Sequence, residues 1–276
     1  MICRTICRFF AVIPVAACIC FGTGASAQEV LLQIKPHVGD TLAMRLDQKT
    51  EMTGTPRDCG RPEACQSTTR SMTTMTEVFS RAIVRSVSGS GAVVLALTDS
   101  IRTASGRGGE LITPTRMRGS DDPIELRVAT DGGAEVIDAD ASEQLRAIFG
   151  QLPATLSRSP VSVGEKWRRQ MRIPIAGDSG AVALVSATFQ LDSLGANGDI
   201  AYISMRGKMS HLRQSANVSE YEGSMTGTMQ LDRRLAWITE SRAVIELTSM
   251  VKPRSGLGMM RVRTRVTQLL KAWPTK

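Results

Sequence analysis

Between residues 42 and 52 the apolar side chains Leu42, Met44, Leu46 and Met52 fall on even positions, while Arg45, Asp47, Lys49 and Glu51 occupy odd ones. A period of two puts the two sets on opposite faces of an extended chain, which predicts an antiparallel strand with one face buried and one in water. The alternation recurs along the chain. A second strand over 70–87 runs into Ser88-Gly89-Ser90-Gly91 and then the apolar run from Val93 to Leu97, a hairpin pattern. Ile124, Leu126 and Val128 lead into Asp131-Gly132-Gly133 and out through Val136-Ile137, a second hairpin. Further strands are predicted near 165–173, 181–193, 200–212, 222–231, 235–250 and 259–270, with turns at Asn197-Gly198 and Asp232-Arg233-Arg234.

One stretch departs from this rhythm. Leu145, Ile148, Phe149 and Leu152 recur at three- and four-residue spacing after Asp140-Ala141-Ser142-Glu143, and Pro153 limits the run. That spacing predicts a helix of about three turns, opened by a capping box and too short to stand without a sheet beneath its apolar stripe. The halves on either side echo each other: Val38-Gly39-Asp40-Thr41-Leu42 and Val163-Gly164-Glu165-Lys166-Trp167 each open an amphipathic strand. An internal duplication and coincidence among repetitive hairpins both account for the echo. Under duplication, residues 28–138 and 161–276 are two similar β lobes joined by a helical segment over 139–160. The expected fold class is therefore mainly β: an antiparallel curved sheet or half-barrel with one short amphipathic helix between its lobes.

The amino-terminal region has the three parts of a secretion signal: Arg4 and Arg8, an apolar stretch from Phe9 to Phe21, and Ala25-Ser26-Ala27 as the cleavage site. Cleavage before Gln28 would leave residues 28–276 as an exported β-rich domain in the periplasm or outside the cell. A second reading takes Val15-Ala16-Ala17-Cys18 as a lipoprotein box, with Cys18 carrying a lipid anchor. No later stretch reaches the ~20 apolar residues of a membrane helix. Past the leader the cysteines are Cys59 and Cys65, six apart among Gly60, Pro62 and polar residues. In an oxidising compartment they are expected to pair and pin a local loop.

With 34 basic and 26 acidic residues, two of the arginines in the leader, the exported domain is mildly basic. Three tryptophans and no basic segment interleaved with aromatics argue against nucleic-acid binding. Candidate chemistry is thin. The histidines are His37 and His211, and no nucleophile elbow, phosphate loop, dinucleotide fingerprint or zinc motif occurs. Gly177-Asp178-Ser179-Gly180 resembles a serine-hydrolase nucleophile segment and also reads as an ordinary turn, so Ser179 is a remote catalytic candidate. No cofactor or metal site is expected: Asp121-Asp122 and Asp138-Ala139-Asp140 lack the ligand series of a calcium loop.

Methionine is the unusual residue, with 14 in the chain. Met205, Met209 and His211 share one parity, and Met225 and Met229 share another on the next strand, so aligned pairing would produce a methionine stripe. Methionine fills irregular core gaps, suits a plastic apolar pocket, and ligates Cu(I) through its thioether, and all three roles are open to this stripe, with His211 as the copper partner. Arg261, Arg263 and Arg265 form a second same-face set, beside which an apolar hollow would suit an anionic lipid, and which solvent exposure also explains.

Val38-Gly39-Asp40, Asp131-Gly132-Gly133 before a helix, and Val161-Ser162-Val163-Gly164-Glu165-Lys166-Trp167 together resemble a family of uncharacterised exported bacterial β-rich proteins. The resemblance implies an envelope or secreted β domain and brings no activity. In architecture the chain is also similar to lipoprotein carriers, whose curved half-barrel sheets hold acyl chains. The expectation is a non-enzymatic envelope protein binding an apolar or amphiphilic ligand in a concave sheet, touched by Met205, Met209, Met225 and Met229. The alternative is a structural or protein-interaction module without a small-molecule site.

Overall fold

The computed structural model describes residues 29–57, 69–107, 110–111, 115–118, 123–138, 154–174, 182–211, 218–251 and 259–275. The leader, Cys18, the Cys59 to Cys65 loop, residues 139–153 of the helical segment expected over 139–160, and Ser179 lie outside these residues; 154–160 are described and form no helix.

One antiparallel sheet contains β1 (Thr41–Pro56), β2 (Arg70–Ser88), β3 (Gly91–Arg107), β4 (Glu110–Leu111), β5 (Thr115–Arg118), β6 (Ile124–Ala129) and β7 (Ala134–Val136). It continues with β8 (Lys166–Pro174), β9 (Val182–Gly195), β10 (Ile200–His211), β11 (Val218–Asp232), β12 (Trp237–Val251) and β13 (Met260–Pro274). Strand order is β7-β6-β3-β2-β1-β13-β12-β11-β10-β9-β8, with β4 and β5 paired to β3. The two halves are thus joined within one sheet, because β1 pairs along its length with β13. The free edges, β7 and β8, are neighbours in the sequence. This is an up-and-down meander with a single seam where the chain crosses from its first half to its second.

Local sequence explains the curl. Extra residues interrupt the ladders at Arg85, Asp99, Asp192 and Thr239, where the register slips by one. Bulges of this kind sharpen strand twist and bend a sheet. At the end carrying the short turns, residues 154–161 bridge the seam. Thr155 and Leu156 donate backbone N–H bonds to Asp131 O at 2.9 Å, on the β7 side. Trp167 Nε1 donates to Thr155 O at 2.8 Å, on the β8 side.

A second extended segment closes that end from within. Val30, Leu32 and Ile34 are at most 3% exposed and belong to the main core cluster, while Leu31, Gln33 and Lys35 point away. Ile34 N–H donates to Thr130 O and Lys35 N–H to Ala236 O, so the segment straps the β6–β7 turn to the β11–β12 turn. It also pairs Val30 with Val161 of the seam bridge.

The two similar openings adopt the same hydrogen-bonded form. Gly39 and Gly164 take φ of 90° and 88°, a left-handed conformation that favours glycine. Asp40 Oδ2 accepts from His37 N–H at 2.8 Å, and Glu165 Oε2 accepts from Ser162 N–H at 2.9 Å. The partners repeat too, with Gly39 N–H bonded to Val84 O on β2 and Gly164 N–H to Leu191 O on β9.

Candidate functional site

The methionines flagged by the sequence do meet. β10 and β11 pair so that Met205 faces Gly227, Gly207 faces Met225, and Met209 faces Gly223, with Ile203 opposite Met229. Each of the three pairs sets a long flexible side chain over a residue with none. A Cβ built on Gly227 would come within 2.4 Å of Met205 Cε, and one on Gly223 within 3.4 Å of Met209 Sδ. Met205, Met209, Met225 and Met229 are 4–7% exposed and sit in the same cluster as Phe189, Leu191 and Ile203. The stripe is a packed floor.

Beside that floor lies a wall that the sequence reading did not single out. Register on β2, β1, β13 and β12 stacks cross-strand rows on the same inward face. One row is Val78–Leu46–Leu270–Ser241, the next Thr76–Gln48–Gln268–Ala243, and the next Thr74–Thr50–Val266–Ile245. Toward the strap, Leu42 and Ala82 are buried at 2% and 1%. Farther along the strands Leu46, Val78, Ile245, Val266 and Leu270 are only half-buried. Gln268 Nε2 donates to Gln48 Oε1 at 2.8 Å, so the two glutamines pair with each other between Leu46 and Leu270 on one side and Thr50 and Val266 on the other. An inner wall of half-exposed leucine, isoleucine and valine interrupted by glutamine and threonine matches an amphiphilic ligand with an apolar body. The alternation on β1 that located the strand also carried this wall; without its partner strands the even positions had no neighbours to form rows with.

Arg261, Arg263 and Arg265 are exposed on the opposite face of β13 from Val262, Thr264 and Val266. The structure therefore separates the arginine ladder from the methionine floor by the thickness of the sheet. Around β1, β2 and β3 that outer face is rich in matched charges. Arg45 and Arg102 both meet Glu77, at 2.7 and 3.1 Å, and both lie over the Phe79 ring. Arg81 contacts Asp99 through Nε and Nη2, and the hydrogen bond, followed by the carboxylate's charge, raises the guanidinium pKa above its ordinary value. Charges spread over this face are at odds with an apolar band against lipid tails.

The seam holds a further charged group that sequence reading took only for a turn residue. Asp131 is 7% exposed and receives Arg158 Nε at 3.0 Å and Arg169 Nη2 at 3.5 Å. Arg169 projects inward between Trp167 and Met171 and also donates to Leu156 O. A charge at an inward parity was the available signal. His211 lies at the end of β10, and its side chain is outside the described set. Among the described residues no group of three or more His, Cys, Asp or Glu gathers into a cation site.

Among solved structures the likeness in fold is to a lipovitellin chain, described for its lipid–protein interactions, with a TM-score of 0.50 and 8% identity over 88% of this chain and 26% of that one. It is also aligned with an outer membrane channel of Pseudomonas putida F1, at a TM-score of 0.26 and 7% identity, covering 89% of this chain and 97% of the channel. Pseudomonas aeruginosa OccK5 (OpdH) aligns at a TM-score of 0.23 and 7% identity, over 86% and 99% of the two chains. The lipovitellin likeness concerns fold alone, and the two weaker alignments carry no argument. No protein-family model matches the chain, and no curated protein matches it. Among the described residues no helix is long and apolar enough to cross a membrane.

Proposed function

We propose that this chain is a non-catalytic binding module of the cell envelope that holds an apolar or amphiphilic molecule against the inner face of its split barrel. One observation carries the reading: on β12, β13, β1 and β2 the inward leucines, isoleucine and valines remain half-exposed, although the adjoining floor and the strapped end are packed. Apolar area left open costs roughly 25 cal/mol per Å², so a ligand that covers it gains that much in return. The buried methionines form the floor beneath the ligand and repack around chains of different shape. The lipovitellin-like fold is compatible with this use. Export, cleavage before Gln28 and a Cys59 to Cys65 disulfide belong to the same reading.

Titration with a fluorescent fatty acid tests it. The Leu46→Gln/Leu270→Gln variant changes two residues that face each other across β1 and β13. It should bind at least tenfold more weakly while melting cooperatively. Unchanged affinity would remove the wall from the site. Absence of binding by the parent protein would favour a protein-interaction module.

A further inference from the structure

The outer face of β8 to β11 differs from that of β1 to β3. Lys166 and Arg168 on β8 and Arg206 and Lys208 on β10 all point outward and are exposed. Their cross-strand neighbours are uncharged: Arg168 faces Thr188, which faces Arg206, which faces Thr226, while Lys208 lies between Ser186 and Ser224. Among the described residues none of these four cations has a carboxylate within ion-pair distance, whereas Arg45, Arg81, Arg102 and Arg127 on the other half are all paired. The carboxylates of Asp192 and Glu222 share this face: Asp192 accepts from Ser204, and Glu222 is exposed on β11 two residues from Ser224. Tyr202, 39% exposed, stands on the same face of β10.

Four exposed cations gathered on β8 and β10, with uncharged residues directly across from them, give this face a positive charge that complements an anionic surface. Strands lie about 4.8 Å apart, so the backbones of Arg168 and Arg206 are separated by nearly 10 Å across β9. The patch sets four exposed cations against the carboxylates of Asp192 and Glu222 over four strands, a net positive face that suits many separate charges spread over a plane. An exposed tyrosine beside lysines and arginines is also the composition that settles at a bilayer interface.

We propose that the β8–β11 outer face, through Lys166, Arg168, Arg206 and Lys208, docks the protein on an anionic phospholipid surface. For a module that carries an amphiphile, the role proposed above, docking brings the barrel to the place where such ligands are collected or released. The contact itself is electrostatic and stands apart from the inner wall.

Flotation with vesicles tests it, using phosphatidylcholine alone or with about one-third phosphatidylglycerol, at low salt and at 0.5 M NaCl. The parent protein should float only with the anionic vesicles and only at low salt, because surface charges are screened within about 4 to 5 Å at that salt. Each cation near such a surface is worth a factor of about five in partition, so Arg168→Gln/Arg206→Gln/Lys208→Gln should weaken binding about 100-fold. Arg261→Gln/Arg263→Gln/Arg265→Gln removes the same charge from β13 and should cost much less. Equal loss in both variants, or no flotation with anionic vesicles, overturns the proposal; retention on an acidic protein column without flotation would assign the face to a protein. Fatty-acid titration of the same variants reads the inner wall separately: the β8–β10 variant should keep that binding, so failure of either reading is visible without the other.

Discussion

Replacing Met205 by alanine is the sharpest probe of the methionine floor. The side chain is 7% exposed, belongs to the core cluster, and extends its Cε over Gly227 on the next strand. Truncation removes three heavy atoms from a position where the partner residue has no side chain to swing into the gap. Collapse is therefore limited, and the loss should fall within the large-to-small range, at about 3 kcal/mol. The reciprocal change makes the argument specific. A Cβ at Gly227 would lie 2.2 Å from Arg242 O as well as 2.4 Å from Met205 Cε. Backbone cannot swing aside as a methionine can, so Gly227→Ala should cost at least 2 kcal/mol by overpacking, and adding Met205→Ala should relieve only part of it. Gly207→Ala is the contrast, because its new Cβ meets side-chain atoms at 3.2 Å and beyond; its cost should stay near 1 kcal/mol. Urea denaturation followed by tryptophan fluorescence and circular dichroism gives all four values. A Met205→Ala loss below about 0.5 kcal/mol, or equal effects at Gly227 and Gly207, would refute the interlocked floor.

The seam, the turns and the leader each give a further outcome. Asp131→Ala should destabilise by about 2 to 3 kcal/mol in chemical denaturation, because it strips a largely buried Arg169 of its carboxylate. Arg158→Ala, whose side chain is 77% exposed, should change stability by less than about 0.5 kcal/mol. Gly39→Ala and Gly164→Ala should each cost about 1 to 2 kcal/mol through backbone conformation alone, since open space surrounds both positions; near-zero values in thermal melts would mean that the turns relax. Intact mass of the exported protein should correspond to a chain beginning at Gln28 and should rise by about two mass units on reduction of the Cys59 to Cys65 bond, whereas an acylated Cys18 would give a lipid-sized increment.

Strand positions were the most legible feature, because burial on one face leaves a period-two trace wherever it occurs. The run expected at 200–212 became β10 nearly to the residue, while those at 42–52 and 259–270 became β1 and β13, each of which runs four residues past the expected end. The turn glycines were equally plain: Gly132 and Gly198 take φ of 86° and 96°. Long-range pairing left no such trace. That β1 joins β13, and so makes one sheet of two halves, depends on partners more than 200 residues apart. The strap escaped notice although Val30, Leu32 and Ile34 alternate, because only three apolar positions recur before Pro36 ends the run. Parity put the methionines on shared faces, but it could not tell floor from cavity; the glycines opposite them decide that. Parity likewise aligned Arg261, Arg263 and Arg265 without showing that the sheet stands between them and the methionines.

The central claim, that the inner wall holds an amphiphile, is tested most directly by native mass spectrometry of protein purified without detergent, paired with organic extraction of the same sample. The expected spectrum shows the protein with an added lipid-sized mass, recoverable in the extract and absent from the Leu46→Gln/Leu270→Gln variant. A spectrum of bare protein that also takes up no fatty acid on incubation would contradict the account and leave the wall as exposed core.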